Sequence, residues 1–342
     1  MNKTVSVIIP CRNEEKFIGK CIESFINQSY PKELYSIILS DGMSDDRTKE
    51  IIEKYKINYP ENNIIIIDNL GLTAPKGLNT AIEYSKSDII IIFGAHAEAD
   101  ENFILENVKA LENNEIGCSG GIINTINDSV KGKAIAQAMM CPFGVGNATF
   151  RYSTKEDYVD TVAFGAYRRE ELIELGKFDE ELVRNQDDEL NFRVVKSGKK
   201  ILLSPKIKSI YYSRASLKKL WKQYYQYGFW KVRVMQKHKR PASLRHLVPM
   251  LFCLFIIIGS ILSIFFSTAR ILFLIVLGLY LLLDLLFSIK ISSKESFKYL
   301  GYLLIIFPLL HLSYGLGFII GLINFYVKKS NKLVDSNTKL SR

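Results

Sequence analysis

The chain has 342 residues, a formal net charge of +10 and a hydrophobic share of 48%. Those figures exclude a disordered or fibrous protein and leave room for one folded domain of ordinary size plus membrane-embedded segments. Five cysteines (Cys11, Cys21, Cys118, Cys141 and Cys253), scattered and odd in number, exclude a disulfide framework or a zinc ribbon and agree with reduced cytosolic thiols.

From the N-terminus, short apolar runs at Val5 to Ile9, Ile37 to Leu39, Ile64 to Ile67 and Ile89 to Phe93 alternate with helical stretches. This predicts an α/β domain with buried parallel strands over about residues 1–212. The first run breaks into polar residues within SVIIPCRNEE (Ser6 to Glu15), the second within IILSDGMSDDRT (Ile37 to Thr48). Loops leaving the carboxyl ends of strands form the ligand crevice of such sheets, so Arg12, Asn13, Asp41 and Ser44 are expected to converge there around a nucleotide. Asp41 suits a base or ribose edge because an ionised carboxylate accepts hydrogen bonds and donates none.

Next, GLTAPKGL (Gly71 to Leu78) followed by Asn79 reads as a turn entering a helix, with Lys76 a candidate phosphate contact. The fourth strand runs into Gly94-Ala95-His96-Ala97-Glu98, whose imidazole suits Mn²⁺ better than Mg²⁺, which favours oxygen. The segment PFGVGNATFRY (Pro142 to Tyr152) has two glycines for unusual turns, Phe143 and Phe150 as anchors, and an exposed Arg151. A strand and Gly-containing turn follow in DTVAFGAYR (Asp160 to Arg168). In FDEELVRNQDDELNFR (Phe178 to Arg193), Asp187, Asp188 and Glu189 stand at a helix start, where exposed amides favour ionised carboxylates.

From Lys199 to Arg245 there are fourteen basic residues and no Asp or Glu. Inside it, Ser216 to Lys237 has helical spacing with aromatics between lysines, as an interfacial helix on anionic lipid has. Residues 213–246 are read as that basic amphipathic region, with membrane lipids as partner. The run leads straight into membrane segments, so the positive-inside rule accounts for it and no nucleic-acid partner is expected. Apolar blocks Leu247 to Thr268, Ile271 to Ile289 and about Tyr299 to Val327 are each near or above the ~20 residues that cross a bilayer. They define a transmembrane region of about three helices over 247–329, before a polar tail at 330–342. With no charged and apolar leader, the first domain is expected on the cytoplasmic side of the cell membrane.

These motifs together resemble the family 2 inverting glycosyltransferases, and over nearly the whole chain their succinoglycan-biosynthesis branch. The resemblance implies a GT-A fold and a nucleotide-sugar donor held by Pro10, Arg12, Asn13, Glu14, Asp41, Ser44, Lys76 and Asn79. It places His96 at the last position of the family's Asp-x-Asp signature, which binds a divalent cation, Mn or Mg, on the donor diphosphate; Gly94 replaces the first Asp. It sets Asp187 as general base, with Asp188 as register rival and, with Glu189 and Arg151, as an acceptor contact. The segment QYYQYGFWK (Gln223 to Lys231) falls at a family Gln/Arg-x-x-Arg-Trp element, with Trp230 and Lys231 the nearest analogues and further acceptor-side contacts. A lipid-linked saccharide acceptor in surface polysaccharide assembly follows. A processive synthase is the alternative, though three apolar blocks are few to line a channel, and a silent relative is the other, motivated by Gly94.

Overall fold

The computed structural model describes residues 3–213, 215–239 and 244–338. Arg214 and Arg240 of the basic stretch and the last four residues of the tail lie outside them. The chain divides into two compact units, 1–124 with 149–212, and 125–148 with 213–342.

The first unit is built on a mixed sheet of nine strands: β1 (Val5–Cys11), β2 (Tyr35–Asp41), β3 (Ile64–Asp68), β4 (Ile89–Ile92), β5 (Ala97–Ala99), β6 (Ile116–Ile126), β7 (Asp157–Val159), β8 (Ala163–Arg168) and β9 (Lys200–Tyr212). Their order is β3-β2-β1-β4-β8-β6-β9-β5, with β7 also on β9. The four predicted runs are the parallel part, β3-β2-β1-β4. They read as continuous Ile, Val and Leu because helices cover both faces: α1 (Ile18–Ile26), α2 (Thr48–Asn58) and α4 (Phe103–Ala110) on one side, α3 (Ala74–Tyr84) on the other. Val7, Ile9, Ile37 and Leu39 sit in one core with Phe25 and Phe93, and Ile8, Ile38 and Ile90 in another with Leu78 and Leu190. The second half of the sheet is antiparallel. There β8 runs against β4, pairing Ile91 with Ala166, which brings the start of β8 to the end of β4.

The second unit is helical. After β6 come α5 (Val130–Met139) and the single turn α6 (Pro142–Val145); α7 (Arg169–Glu174) and α8 (Gln186–Lys196) belong to the first unit. Then follow α9 (Leu217–His238), α10 (Val248–Phe265), α11 (Ser267–Lys294), α12 (Leu300–Leu322), continued as one π-helical turn to Lys328, and α13 (Asn331–Thr338). Among the described residues, three helical stretches, Arg245–Phe265, Ser267–Lys294 and Phe297–Lys328, are long and apolar enough to cross a membrane.

Two features differ from the sequence expectation. Residues 125–148 were grouped with the first domain, yet they pack with the apolar helices, because Phe143 stacks on Phe287 (4.9 Å) and meets Phe307 (5.0 Å) and His311 (5.2 Å) edge-on. And the tail begins with a helix whose Asn337 is buried, its carbonyl accepting from the Trp230 indole at 3.1 Å.

Candidate active site

Because β1 and β2 are in parallel register with Cys11 opposite Asp41, the residues after each strand emerge side by side. Asp41 is 1% exposed. The Ser44 hydroxyl donates to its Oδ1 at 2.5 Å and the Ser44 N–H to its Oδ2 at 3.1 Å. The same hydroxyl accepts from the Asn13 N–H at 3.0 Å, and Asn13 Oδ1 accepts from the Asp45 N–H at 3.0 Å. Asn13 sits at φ 56°, a left-handed conformation asparagine tolerates. Arg12 lies against Gly42. The structure thus brings Arg12, Asn13, Asp41 and Ser44 into one cluster just past Pro10.

Lys76 and Asn79 are placed differently. Lys76 is exposed at the start of α3. Asn79 is buried and its amide is spent on the loop before α8: Nδ2 donates to the Phe178 carbonyl and Glu180 Oε1, both at 2.9 Å, and Oδ1 accepts from the Phe178 N–H at 3.0 Å.

At the end of β4, His96 Nδ1 stands 3.4 Å from Glu14 Oε1. The imidazole meets the Tyr211 ring edge-on at 5.1 Å, and the Arg151 guanidinium lies 5.2 Å from the Phe150 ring and 6.0 Å from that of Tyr211. Glu14, His96, Tyr211 and Arg151 therefore form a second cluster. Gly94 has a steric reason: a Cβ there would come within 2.9 Å of the Phe164 ring, which packs on Phe93 at 4.4 Å.

The third component is the start of α8. Tyr167 on β8 donates to Asn191 Oδ1 at 2.9 Å, and Asn191 Nδ2 donates to Thr161 Oγ at 3.0 Å, pinning α8 to the sheet. Asp187, in the first turn, has its carboxyl pushed up to about 7, first by desolvation and then by the charge of Asp188. That value suits a base working near neutral pH. Glu189, expected on the acceptor side, is turned to Arg193 instead: its oxygens accept from Nε at 2.9 Å and Nη2 at 2.6 Å, and it is 3% exposed.

In the second unit Trp230 is fully buried and Lys231 is 3% exposed. The Trp230 indole is committed to the tail, and its ring packs near Phe229 and Phe325. Sequence reasoning missed Tyr211, Phe164 and the Tyr167–Asn191 brace. No local spacing marks them, because the partners come from strands distant in the chain.

Among the described residues no three His, Cys, Asp or Glu side chains gather to hold a metal alone. The Glu14–His96 pair still fits a Mn²⁺ ion arriving on a diphosphate, since such ions take one or two protein ligands and complete their shell with phosphate and water.

The profile described as Glycosyl transferase family 2 matches residues 6–176. The chain belongs to that family. This family 2 glycosyltransferase is 34% identical over 239 residues (68% of the chain, 74% of the relative) to the dolichyl N-acetyl-alpha-D-glucosaminyl phosphate 3-beta-D-2,3-diacetamido-2,3-dideoxy-beta-D-glucuronosyltransferase of Methanococcus voltae. It is 26% identical to the succinoglycan biosynthesis protein ExoA of Rhizobium meliloti (strain 1021), over 71% of the chain and 74% of that protein. Its fold is shared with a mannosyltransferase of Pyrobaculum calidifontis solved with GDP-Man and Mn²⁺, at a TM-score of 0.64 and 16% identity, covering 89% and 87% of the two chains. The glycosyltransferase therefore has a GT-A-like fold, with a mixed sheet and flanking helices.

Proposed function

We propose that the enzyme transfers a sugar, with inversion, from a nucleotide-sugar donor to a lipid-linked saccharide acceptor at the cytoplasmic face of the cell membrane, during surface polysaccharide or related glycan assembly. The observation that carries this reading is the pairing, in one chain, of a family 2 module with long apolar helices. The Methanococcus voltae relative, named for a dolichyl-phosphate-linked sugar acceptor, supports the acceptor class.

In this reading Asp41 receives the base or ribose edge, held rigid by Ser44, while Pro10, Arg12 and Asn13 border the nucleotide and Lys76 reaches its phosphates. His96, with Glu14 beside it, holds a divalent cation, Mn²⁺ in preference to Mg²⁺, which when bound supplies positive charge to the departing diphosphate. Asp187 takes the proton from the acceptor hydroxyl, whose oxygen attacks the anomeric carbon as the nucleoside diphosphate leaves from the opposite face. One displacement gives inversion. Asp188 and Arg151 line the acceptor side, and Glu189 holds α8 in place.

Membranes containing the enzyme, incubated with radiolabelled nucleotide sugars and lipid-linked acceptors with EDTA or Mn²⁺, test the proposal. Label in the lipid fraction, abolished by EDTA and restored by Mn²⁺, is the expected outcome. Label passing to water alone with every donor would remove the lipid-acceptor reading.

A further inference from the structure

We infer that α12 does not cross the bilayer: paired with α9 it lies along the polar–apolar boundary of the membrane, and the α10–α11 hairpin alone makes two crossings. All the residues involved belong to the second unit.

Composition favours three crossings, because the α12 stretch, though less apolar than its neighbours, is also long and apolar enough to span. Packing tells them apart. From Ile257 to Leu283, across the distal part of the hairpin, no residue is buried, whereas α12 buries Leu303, Ile306, Phe307, Leu310, Gly317 and Phe318, on several sides. A third helix crossing beside the hairpin would cover its distal half. None does among the described residues.

Several close contacts tie α12 to the two arms of the hairpin near one level. The Phe252 and Tyr280 rings, 4.4 Å apart, mark that level on the two arms. His311 Nδ1 is 2.8 Å from the Tyr280 hydroxyl, and Cys253 Sγ donates to the Leu312 carbonyl at 3.5 Å. Gly315 abuts the Pro249 carbonyl. Leu312 and Gly315 thus both meet α10 within the single turn from Pro249 to Cys253. The 28 residues of α11 are about 42 Å long, beyond a ~30 Å hydrocarbon core. Asp284, Ser288, Lys290, Ser292 and Lys294 occupy its last eleven residues, so the hydrocarbon ends near the level where α12 meets it.

Past Gly315, α12 turns to α9. Gly317 abuts the Tyr225 carbonyl, Gly228 abuts the Tyr314 carbonyl, and Gly321 faces Phe229, so the two backbones touch over about two turns of α12. Any Cβ at Gly228 would collide with backbone. Now α9 carries Lys218, Lys219, Lys222, Lys231, Arg233 and Lys237 within 22 residues, and each such charge costs about 2.5–3.5 kcal/mol at a bilayer centre. A helix in backbone contact with α9 shares its depth. The partner of this platform is the lipid headgroup region, which suits the exposed Tyr302, Trp221 and Tyr326.

Single cysteines placed in the full chain at exposed Lys218, Thr268 and Lys332 test this in sealed vesicles with a membrane-impermeant maleimide; the five native thiols are buried and give a low background. Expected is labelling of Lys218→Cys and Lys332→Cys from one side and of Thr268→Cys from the other. Lys332→Cys labelling together with Thr268→Cys would establish three crossings and overturn the inference. So would all three labelling from one side, which would mean that the hairpin does not cross.

Discussion

Glu14 Oε1 and His96 Nδ1 stand 3.4 Å apart, joining the loop that leaves β1 to the loop that leaves β4. Both side chains are largely shielded from water, at 10% and 22% exposure, so the pair is preorganised instead of assembled on binding. His96→Ala is expected to abolish stimulation by Mn²⁺ and to lower transfer at least tenfold, the scale on which loss of a ligand or its support weakens metal sites. Glu14→Gln, which keeps the shape of the side chain, is expected to raise the Mn²⁺ concentration needed for half-stimulation. Activity titrated against Mn²⁺ checks both. An unchanged response in His96→Ala would remove the imidazole from the ligand set.

Gly94 yields to the Phe164 ring. Restoring the family's acid by Gly94→Asp would drive the new Cβ to within 2.9 Å of that ring, which is itself packed on Phe93 and held at φ 54°. The expected result is a loss of about 1–3 kcal/mol of stability, as for overpacked cores, with no gain in metal response. Thermal unfolding and the Mn²⁺ titration report the two effects separately. A variant as stable as wild type and more responsive to Mn²⁺ would show that the ring moves aside freely.

The fork between Glu189 and Arg193 separates a fold-holding role from acceptor binding. Arg193 also donates to the Leu175 and Lys177 carbonyls, so one guanidinium ties α8 to the turn after α7. Glu189→Ala would leave that cation shielded and without its carboxylate, a change that costs about 3–5 kcal/mol for buried pairs. A lowered melting temperature with an unaltered acceptor KM in the surviving folded enzyme is expected. A raised KM at unchanged melting temperature would return Glu189 to the acceptor side.

The parallel half of the sheet was legible because strands buried on both faces are written as unbroken apolar runs, and β1 to β4 differ from those runs by a residue or two at their ends. Asp41 and Ser44 were legible as a pair because they are three residues apart on one turn, where a side chain caps its own loop. Tyr211 and Phe164 were not, since β9 and β8 reach the site only through antiparallel pairing with β5 and β4, which leaves no local spacing to read. Asn79 and Glu189 carry the residue types of ligand contacts, but their hydrogen-bonding capacity is consumed by Phe178, Glu180 and Arg193, a competition invisible before the loops are placed. In the helical unit, hydropathy marks α12 as apolar without telling whether lipid or protein receives it. Gly228 and Gly317 were the residues that held the answer, through how closely they let α9 approach.

Asp187 combines a catalytic and a stability consequence that a single substitution separates. Its carboxyl stands at about 7 against an ordinary 3.8, because water is withdrawn from it and Asp188 adds like charge. Between those two pH values the unfolded chain has given up a proton that the folded chain retains. Stability contributed by this group is therefore whole below about pH 4, falls as pH rises toward 7, and stays reduced above that. Asp187→Asn carries no charge to desolvate, so it is expected to be more stable than wild type at pH 8, by roughly 1–4 kcal/mol, and equal to it near pH 4. Its transfer rate is expected to fall by about 10²- to 10⁴-fold, the usual contribution of a general base. In the wild type, kcat/KM is expected to rise with pH through about 7 as the carboxylate forms. Unfolding midpoints at pH 4 and 8, set beside rates across the same range, measure all three. A variant that gains stability at pH 8 yet keeps wild-type rates would place the base elsewhere, with Asp188 the next residue to replace.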